Sequence, residues 1–558
     1  MNPWLLTDFY KLTHILQYRP ELRELTSYLT PRGSRLKGVN KVVFFGLSAY
    51  VYSYVVENFN KNFFNRPWWD SCNEVKEVLK EGLGYSNEMI AKTINNLYSL
   101  HELGYLPVEI KAVAEGTLVP MGVPCLEIKS TNPKFFWVGQ ALEASLSAAI
   151  WHPMVSATIA REYRKIARGA FAKTVENGVD ERVAMCDFSM RGQESNESAV
   201  NASVAWLTSM WNSSTVAARN HIQRVYGECG NVRGLTSTEH SVMTSHACLD
   251  GGDETPTFKY LFDLYKNVSF AAVCDSYDFW NVLTNILPNN FKDVIDERGK
   301  RGLFIGVRHD SAEPVEALCG IPVVEENKYV HHISKCVPHN LPNGLKKKYL
   351  VLNPKGKDYI ATWDNIYGRW ETEHRPRTWE EKGMVETMYE IFGGSVNSKG
   401  YKVLNPGIKA VYGDSITITR AKQIYERLAA KGFAANNVSL GVGSFSFQAL
   451  ENEDGTLSPF TRDTFSVAVK NCHSKYCDEY GTVCERHVFK DPKNFSQKKS
   501  AKGLCRIFFN EDGELTYEDE LYEADLVGKN SALITYFKDG QEFKQNFETI
   551  RETIDETL

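Results

Sequence analysis

The chain of 558 residues has no apolar run near the roughly 18 residues of a membrane-spanning helix, so no membrane association is expected. Its first residues, Met1 to Asp8, contain no basic stretch followed by an apolar core. No signal peptide is therefore expected, and the cytoplasm is the expected compartment. Positive charge is not in excess: 64 lysines and arginines against 69 aspartates and glutamates leave a net charge of −5. Binding to nucleic acid or an anionic membrane has no source of phosphate neutralisation in that balance. The 12 cysteines are scattered and form no paired C-x-x-C knuckles, which argues for reduced thiols over a disulfide framework or a common zinc module. A looser group (Cys472, His473, Cys477, Cys484 and His487) has zinc-ligand residue types without zinc-ligand spacing, and no metal site is read from it. The full dinucleotide fingerprint, the nucleophile elbow and the metalloprotease helix are also missing.

What the chain does contain is a repeated unit. A short apolar, β-branched run ends in a polar residue, and a helix-like segment follows. Val183–Cys186 ends at Asp187, Ser269–Cys274 at Asp275, and Leu303–Val307 at Arg308-His309-Asp310. Ile408–Tyr412 ends at Gly413-Asp414, and Val438–Leu440 at Gly441-Val442-Gly443-Ser444. Such runs fit strands buried on both faces, and their alternation with helices predicts right-handed crossovers and a parallel sheet or barrel. In folds of that kind the chemistry sits where the strands end.

Hydrophobic content of 43% and charged content of 24% suit a globular chain, and the length is enough for two domains. Residues 1–150 read differently from the middle. Residues 107–122 alternate apolar and polar side chains between turn signals and predict an antiparallel hairpin with one wet face. Phe136 to Ile150 predicts a helix, with Pro153 just beyond its end. After residue 465 short strands and turns return, as in Leu504–Phe509 followed by Asn510–Gly513. The expected organisation is a β-rich domain of 1–150 with 465–558, and an α/β barrel of 151–464. Residues 322–395 interrupt the barrel as an insertion, with Lys346-Lys347-Lys348 read as a solvated face.

If the strand ends form one rim, Asp187, Asp275, Asp278, Asp310 and Asp414 crowd there. Such a cluster calls for Mg²⁺ or for sugar hydroxyls. Arg191, Arg308 and Arg462 suit phosphate through paired donors, and the Gly443 loop offers backbone N–H groups. Together these point to a phosphorylated sugar held with Mg²⁺. Singly, an Asp after a strand also reads as a helix cap, and His240 or Phe188 as a structural residue.

A series of short motifs resembles the nicotinamide phosphoribosyltransferases. It comprises Thr7–His14, Glu109–Gly116, Asp187–Gly192, Glu239–Ser241, Asp275–Asp278, Arg308–Ser311, Ser398–Lys402, Gly413-Asp414, Thr461–Asp463 and Phe489–Pro492, in that order. The resemblance implies an irregular α/β barrel with a β-rich domain built from both chain ends. It also implies a homodimer with active sites at the subunit interface. The implied reaction moves phosphoribose from phosphoribosyl pyrophosphate to nicotinamide, giving nicotinamide mononucleotide and pyrophosphate, with Mg²⁺ as cofactor. By the same resemblance, Phe188 and Tyr10 from the other subunit stack on the pyridine ring, and Arg308 lines its pocket. Asp310 acts at the ribose in the transition state, while Asp278, Gly413 and Asp414 hold substrate. Arg191, Gly443 and Arg462 take the 5′-phosphate, and Arg32, Lys470 and Lys490 the pyrophosphate. His240 matches a histidine phosphorylated by ATP, a facultative coupling substrate.

Two positions depart from that pattern. Ser214 stands where the nicotinamide enzymes usually carry Asp, and a hydroxyl suits either an amide or a carboxylate. This keeps nicotinate as an alternative acceptor. Lys409 stands where arginine is usual. A non-catalytic phosphosugar-binding regulator is a further alternative, against which Asp310 and His240 argue.

Overall fold

The computed structural model describes residues 1–558 except 229, 326–346, 353–356, 365–368, 453–454 and 494–498. Lys346 and most of the first half of the predicted insertion thus lie outside the described residues.

All five apolar runs form strands of one parallel sheet. Its order is Asn212–Ser213, Met185–Asp187, Val438–Val442, Ile408–Tyr412, Ile305–His309 and Phe270–Val273. Phe270–Val273 is buried at every position, as a strand covered on both sides must be. The sheet closes through a segment with no regular strand. Arg233 bridges to Asn212 and Ser237 bridges to Ala271, both in parallel. The Ser213 N–H donates to the Arg233 carbonyl at 3.0 Å, and the Ala271 N–H donates to the Thr236 carbonyl at 2.8 Å. Residues 233–238 are therefore the irregular stave of an α/β barrel.

Within the barrel Gly306 is registered against Ala271 and Lys409, and Arg308 against Val273 and Val411. Gly306 and Arg308 lie two residues apart and so share a face. Glycine is required at 306, because a Cβ there would meet Ala271 Cβ and Val411 Cγ2 at 2.9 Å.

A second sheet draws on both chain ends. Leu22–Thr30, Leu126–Ser130 and Val108–Ala112 lie side by side at its centre. Val483–His487 and Ala468–Cys477 continue it on one side, and Ile534–Lys538 with Gln541–Glu542 on the other. The predicted hairpin of 107–122 is not formed. Val108–Ala112 pairs with Leu126–Ser130 instead, and Leu118–Pro120 pairs with Lys41–Val43. Its polar positions are not uniformly wet either: Glu109 is buried among Lys111, Lys129 and Lys538. Alternation identified strands there but not their partners.

The predicted stop at Pro153 is also corrected. One helix runs through it, from Glu143 to Thr174. The ring packs into the gap left by Gly46, where a Cβ would lie 2.7 Å from Pro153 Cβ. Tertiary packing thus overrides the local helix-breaking tendency of proline.

The sheet and the barrel are tied by buried polar anchors. The Glu115 carboxylate accepts from the Gly46 N–H, the Ser48 N–H and hydroxyl, and the Tyr226 hydroxyl. Arg551, on the C-terminal helix Phe547–Asp555, donates to the Leu207 and Asn231 carbonyls at 2.8 and 3.1 Å. Within 322–395, Lys347–Leu352, Tyr359–Asp364 and Arg369–Glu373 form an antiparallel sheet edged by Val323–Glu325. Lys348 is not simply solvated: its ammonium pairs with the buried Glu381 at 2.7 Å.

Candidate active site

Phe188 follows the strand Met185–Asp187 directly and is held by its N–H, which donates to the Val442 carbonyl at 2.8 Å. Its ring lies across the ends of two neighbouring strands. A Cβ on Gly441 would sit 2.4 Å from the ring carbons, and one on Gly413 would sit 3.0 Å from Phe188 Cε2 and from the Arg308 guanidinium. Glycine at these strand ends is what lets an aromatic plane lie flat on backbone. The Arg308 guanidinium carbon is 5.3 Å from the ring centroid. Arg308 also grips Asp310 with two hydrogen bonds, of 3.0 and 2.6 Å. That fork geometry fixes both side chains.

The next strand end carries Asp275. It accepts from the N–H groups of Asp310 and Ser311 at 2.9 and 2.8 Å and from the Ser311 hydroxyl. Its other oxygen faces His240 Nε2 at 3.2 Å. Burial alone would raise the Asp275 carboxyl, but these donors and the nearby His309 hold it below its ordinary range. His240 is the first residue of the helix His240–Ala247, and its side chain is half exposed.

A cleft of about 750 Å³ opens at this mouth, lined by Phe188, Arg191, Ser214, Arg308, Cys186 and Ser237 among others. The Arg191 turn abuts the Gly443 loop: a Cβ on Gly192 would meet the Ser444 hydroxyl at 2.1 Å, and the Gln448 amide donates to the Gly192 carbonyl at 2.6 Å. The structure thus gathers Phe188, Arg308, Asp310, Gly413, Asp275 and His240 at one strand-end rim, with Arg191 and Gly443 beside them. Asp414 is exposed next to Gly413 and accepts from the Ser415 hydroxyl at 2.8 Å.

The remaining residues lie apart. Tyr10, 57% exposed, and Arg462 line a second cleft of about 860 Å³, which shares Glu194 and Ser195 with the first. Arg32 stands near Arg462, and burial with that neighbouring charge lowers its pKa. Lys470 is likewise lowered by burial and by Arg32, Lys490 and Lys11, with Glu143 opposing. Arg32, Lys470, Lys490 and Arg462 thus form one basic group on the side of the second sheet.

The expected crowd of bare carboxylates is not found. Asp187 is fully buried beneath the rim and is consumed by the Ser189 N–H and the Ser203 and Ser213 hydroxyls. Asp278 caps a helix through the Asn281 N–H at 3.0 Å. Asp275 is held by the Asp310 and Ser311 donors and His240, and Asp310 is paired with Arg308. Repulsion is relieved by hydrogen bonds and one arginine, so these side chains form no cage for a cation. Among the described residues no group of three or more His, Cys, Asp or Glu is placed to hold a metal.

Several lining residues escaped sequence reasoning. Cys186 lies two positions before Phe188, and strand alternation could have placed it at the cleft. Leu235 and Ser237 sit on the irregular stave, which has no periodic signal. Lys409, already singled out by the sequence, lines neither cleft; it is half-buried in the strand Ile408–Tyr412, and desolvation depresses its ammonium to about 8.

Residues 183–508 match the model of the nicotinate phosphoribosyltransferase family, and residues 2–110 match the nicotinamide phosphoribosyltransferase N-terminal domain. A nicotinamide phosphoribosyltransferase of Acinetobacter baylyi is 32% identical, covering 100% of this chain and 98% of that protein. One from Mycoplasma pneumoniae is 28% identical over 80% of this chain and 86% of that protein. The solved structure of human nicotinic acid phosphoribosyltransferase covers 99% of this chain and 93% of its own at 15% identity, with a TM-score of 0.49.

Proposed function

The chain belongs to the nicotinate phosphoribosyltransferase family, and from that premise we propose that it transfers phosphoribose from phosphoribosyl pyrophosphate to the pyridine nitrogen of nicotinamide. The products are nicotinamide mononucleotide and pyrophosphate, a step of NAD salvage. One observation supports this reading above the rest: a flat aromatic platform, Phe188, lies beside the Arg308–Asp310 pair at the mouth of the barrel.

The residues suit the chemistry. The pyridine ring stacks on Phe188, which aims its nitrogen lone pair at the anomeric carbon. Departure of pyrophosphate leaves positive charge on the ribose, and the Asp310 carboxylate opposes that charge where it develops. Arg308 holds Asp310 in place and borders the base. Asp278, Gly413 and Asp414 face the ribose. Arg191 and the Gly443 backbone take the 5′-phosphate, with Arg462 supplied by a second copy of the chain.

Tyr10 and Arg462 line a cleft beside the first, and the basic group of Arg32, Lys470 and Lys490 gathers near Arg462. We assign them to the site of a second copy, so that the working unit is a homodimer in the cytoplasm. Tyr10 of one subunit then covers the pyridine bound on Phe188 of the other. Mg²⁺ is assigned as a companion of the pyrophosphate, since the described carboxylates form no cage of their own. ATP is assigned to His240.

Ser214 lines the first cleft with a hydroxyl that can accept or donate, which favours nicotinate as the second reading. A single assay decides between them. Purified protein with phosphoribosyl pyrophosphate and Mg²⁺ is offered nicotinamide or nicotinate, with and without ATP. Faster mononucleotide formation from nicotinamide is expected. Turnover of nicotinate alone would reassign the acceptor, and no turnover of either would return the protein to the regulator reading.

A further inference from the structure

The two loops assigned to the phosphosugar are joined from behind by a residue outside the site. Tyr163 lies on the helix Glu143–Thr174 and is fully buried. Its hydroxyl donates to the Ile416 carbonyl at 3.0 Å and lies 2.7 Å from the Ser446 hydroxyl. The Ser446 hydroxyl in turn donates to the same carbonyl at 3.2 Å. A carbonyl only accepts, so two hydroxyl protons and this oxygen close a buried triangle. Two of its corners belong to substrate loops. Ser446 is part of the turn Ser444–Phe447, and its N–H donates to the Gly443 carbonyl at 3.3 Å. His152, about three turns earlier on the same helix, fixes that turn again, with Nε2 donating to the Phe447 carbonyl at 2.9 Å. Ile416 follows Gly413, Asp414 and Ser415 directly. Ser415 has a φ of +54°, a left-handed conformation that is costly for serine and persists only where its surroundings hold it. The Arg420 guanidinium donates to the Ser415 carbonyl at 2.8 Å, and the triangle fixes the next carbonyl along.

We propose that Tyr163 is a positioning residue that sets the spacing between the 5′-phosphate loop and the ribose loop. This rests on the assignment of Gly443 to the 5′-phosphate and of Gly413 and Asp414 to the ribose. Without the hydroxyl, Ser415 relaxes toward an ordinary backbone conformation and Asp414 turns with it. The two loops then lose their common anchor. The spacing that fits a phosphorylated pentose becomes one of several, and the apparent affinity falls with the fraction of molecules that keep it. The basic group of Arg32, Lys470 and Lys490 lies on the side of the second sheet and takes no part in the triangle. Binding of the pyrophosphate end is therefore left as it was.

The test compares the full-length wild type with Tyr163→Phe, in which the ring stays packed edge-on against Trp206 at 5.6 Å and only the hydroxyl is lost. Three constants are read: the KM for phosphoribosyl pyrophosphate, and the Kd values of ribose 5-phosphate and of inorganic pyrophosphate by calorimetry. The first two should rise together by about fivefold, the worth of one net hydrogen bond, while that of pyrophosphate stays within about twofold. Ser415→Gly on the Tyr163→Phe background should recover most of the loss, because glycine takes a positive φ without a clamp. A purely structural role would lower the melting temperature and leave all three constants alone. That result, an equal rise in all three, or no recovery with glycine would each overturn the proposal. A wild type that neither turns over nor binds ribose 5-phosphate would defeat the assignment of the loops, and the proposal with it.

Discussion

The sharpest handle on the site is Gly441→Ala, a change of one methyl group at a residue that touches no substrate. The new carbon would lie 2.4 Å from Phe188 Cδ2 and Cε2, and 2.9 Å from Gly413 Cα. Carbon atoms rest at roughly 3.5–4.0 Å, so the ring must retreat by about 1 Å or more. It cannot do so by sinking, because Gly413 and Arg308 close the other approaches. The cost to folding should be that of an overpacked site, about 1–3 kcal/mol, which leaves a folded enzyme. The cost to turnover should be larger, because a misplacement of about 1 Å at the acceptor lowers the rate by roughly 10²-fold. The assay is steady-state mononucleotide formation with nicotinamide as the varied substrate, alongside thermal unfolding. Pairing the change with Phe188→Ala makes the logic decisive. With the ring gone the two closest contacts vanish and only Gly413 Cα at 2.9 Å remains, so the double variant should lose clearly less than the sum of the two single losses. A Gly441→Ala enzyme with turnover within twofold of wild type, or losses that simply add in the double variant, would refute the platform.

Asp310→Asn should lower turnover by roughly 10²–10³-fold with little change in the nicotinamide KM, because it removes charge needed only in the transition state; a loss under tenfold would take Asp310 out of the chemistry. Ser214→Asp should shift the preference between nicotinamide and nicotinate at least about tenfold toward the amide, read from kcat/KM for each, since a carboxylate accepts from an amide and repels an acid. An unchanged ratio would move acceptor selection elsewhere. Glu381 is held down to about 2, first by Arg375 and then, against its burial, by Lys348 and the Thr378 N–H. A depressed carboxyl stabilises the fold above its ordinary pKa of 4.5 and loses that contribution as pH falls toward 2. Glu381→Gln should therefore melt below wild type at pH 7, with the gap closing between pH 4.5 and 2. A gap constant with pH would show that the ion pairs contribute nothing.

The barrel was legible because its strands are short, apolar and β-branched, and because each stops at a residue with a job. Arg308, Asp310 and Gly413 could be placed on one rim from that alone, whereas Phe188 by itself read as a structural residue and entered only through the resemblance. What was not legible has two causes. The stave of residues 233–238 carries Arg, Gly, Thr and Ser, and it is a wall of the barrel only because its neighbours supply hydrogen bonds. Leu235, Ser237 and the closure of the barrel were hidden with it. The carboxylate cluster was misjudged because counting charges at strand ends says nothing about how many N–H and hydroxyl donors are folded in beneath them. Asp187 is the clear case: it looks like a rim residue by position, but it serves as the footing of Phe188.

The second sheet sets a timetable for biosynthesis. Its three central strands, Leu22–Thr30, Val108–Ala112 and Leu126–Ser130, leave the ribosome early. The strands that flank them, Ala468–Cys477 and Ile534–Lys538, are made only after the whole barrel. Throughout translation of the barrel, the nascent protein carries two bare β-edges awaiting partners not yet synthesised. Unprotected edges of that kind recruit other chains. A shielding chaperone during elongation, and sensitivity to C-terminal truncation out of proportion to the residues lost, follow from where the flanking strands are encoded.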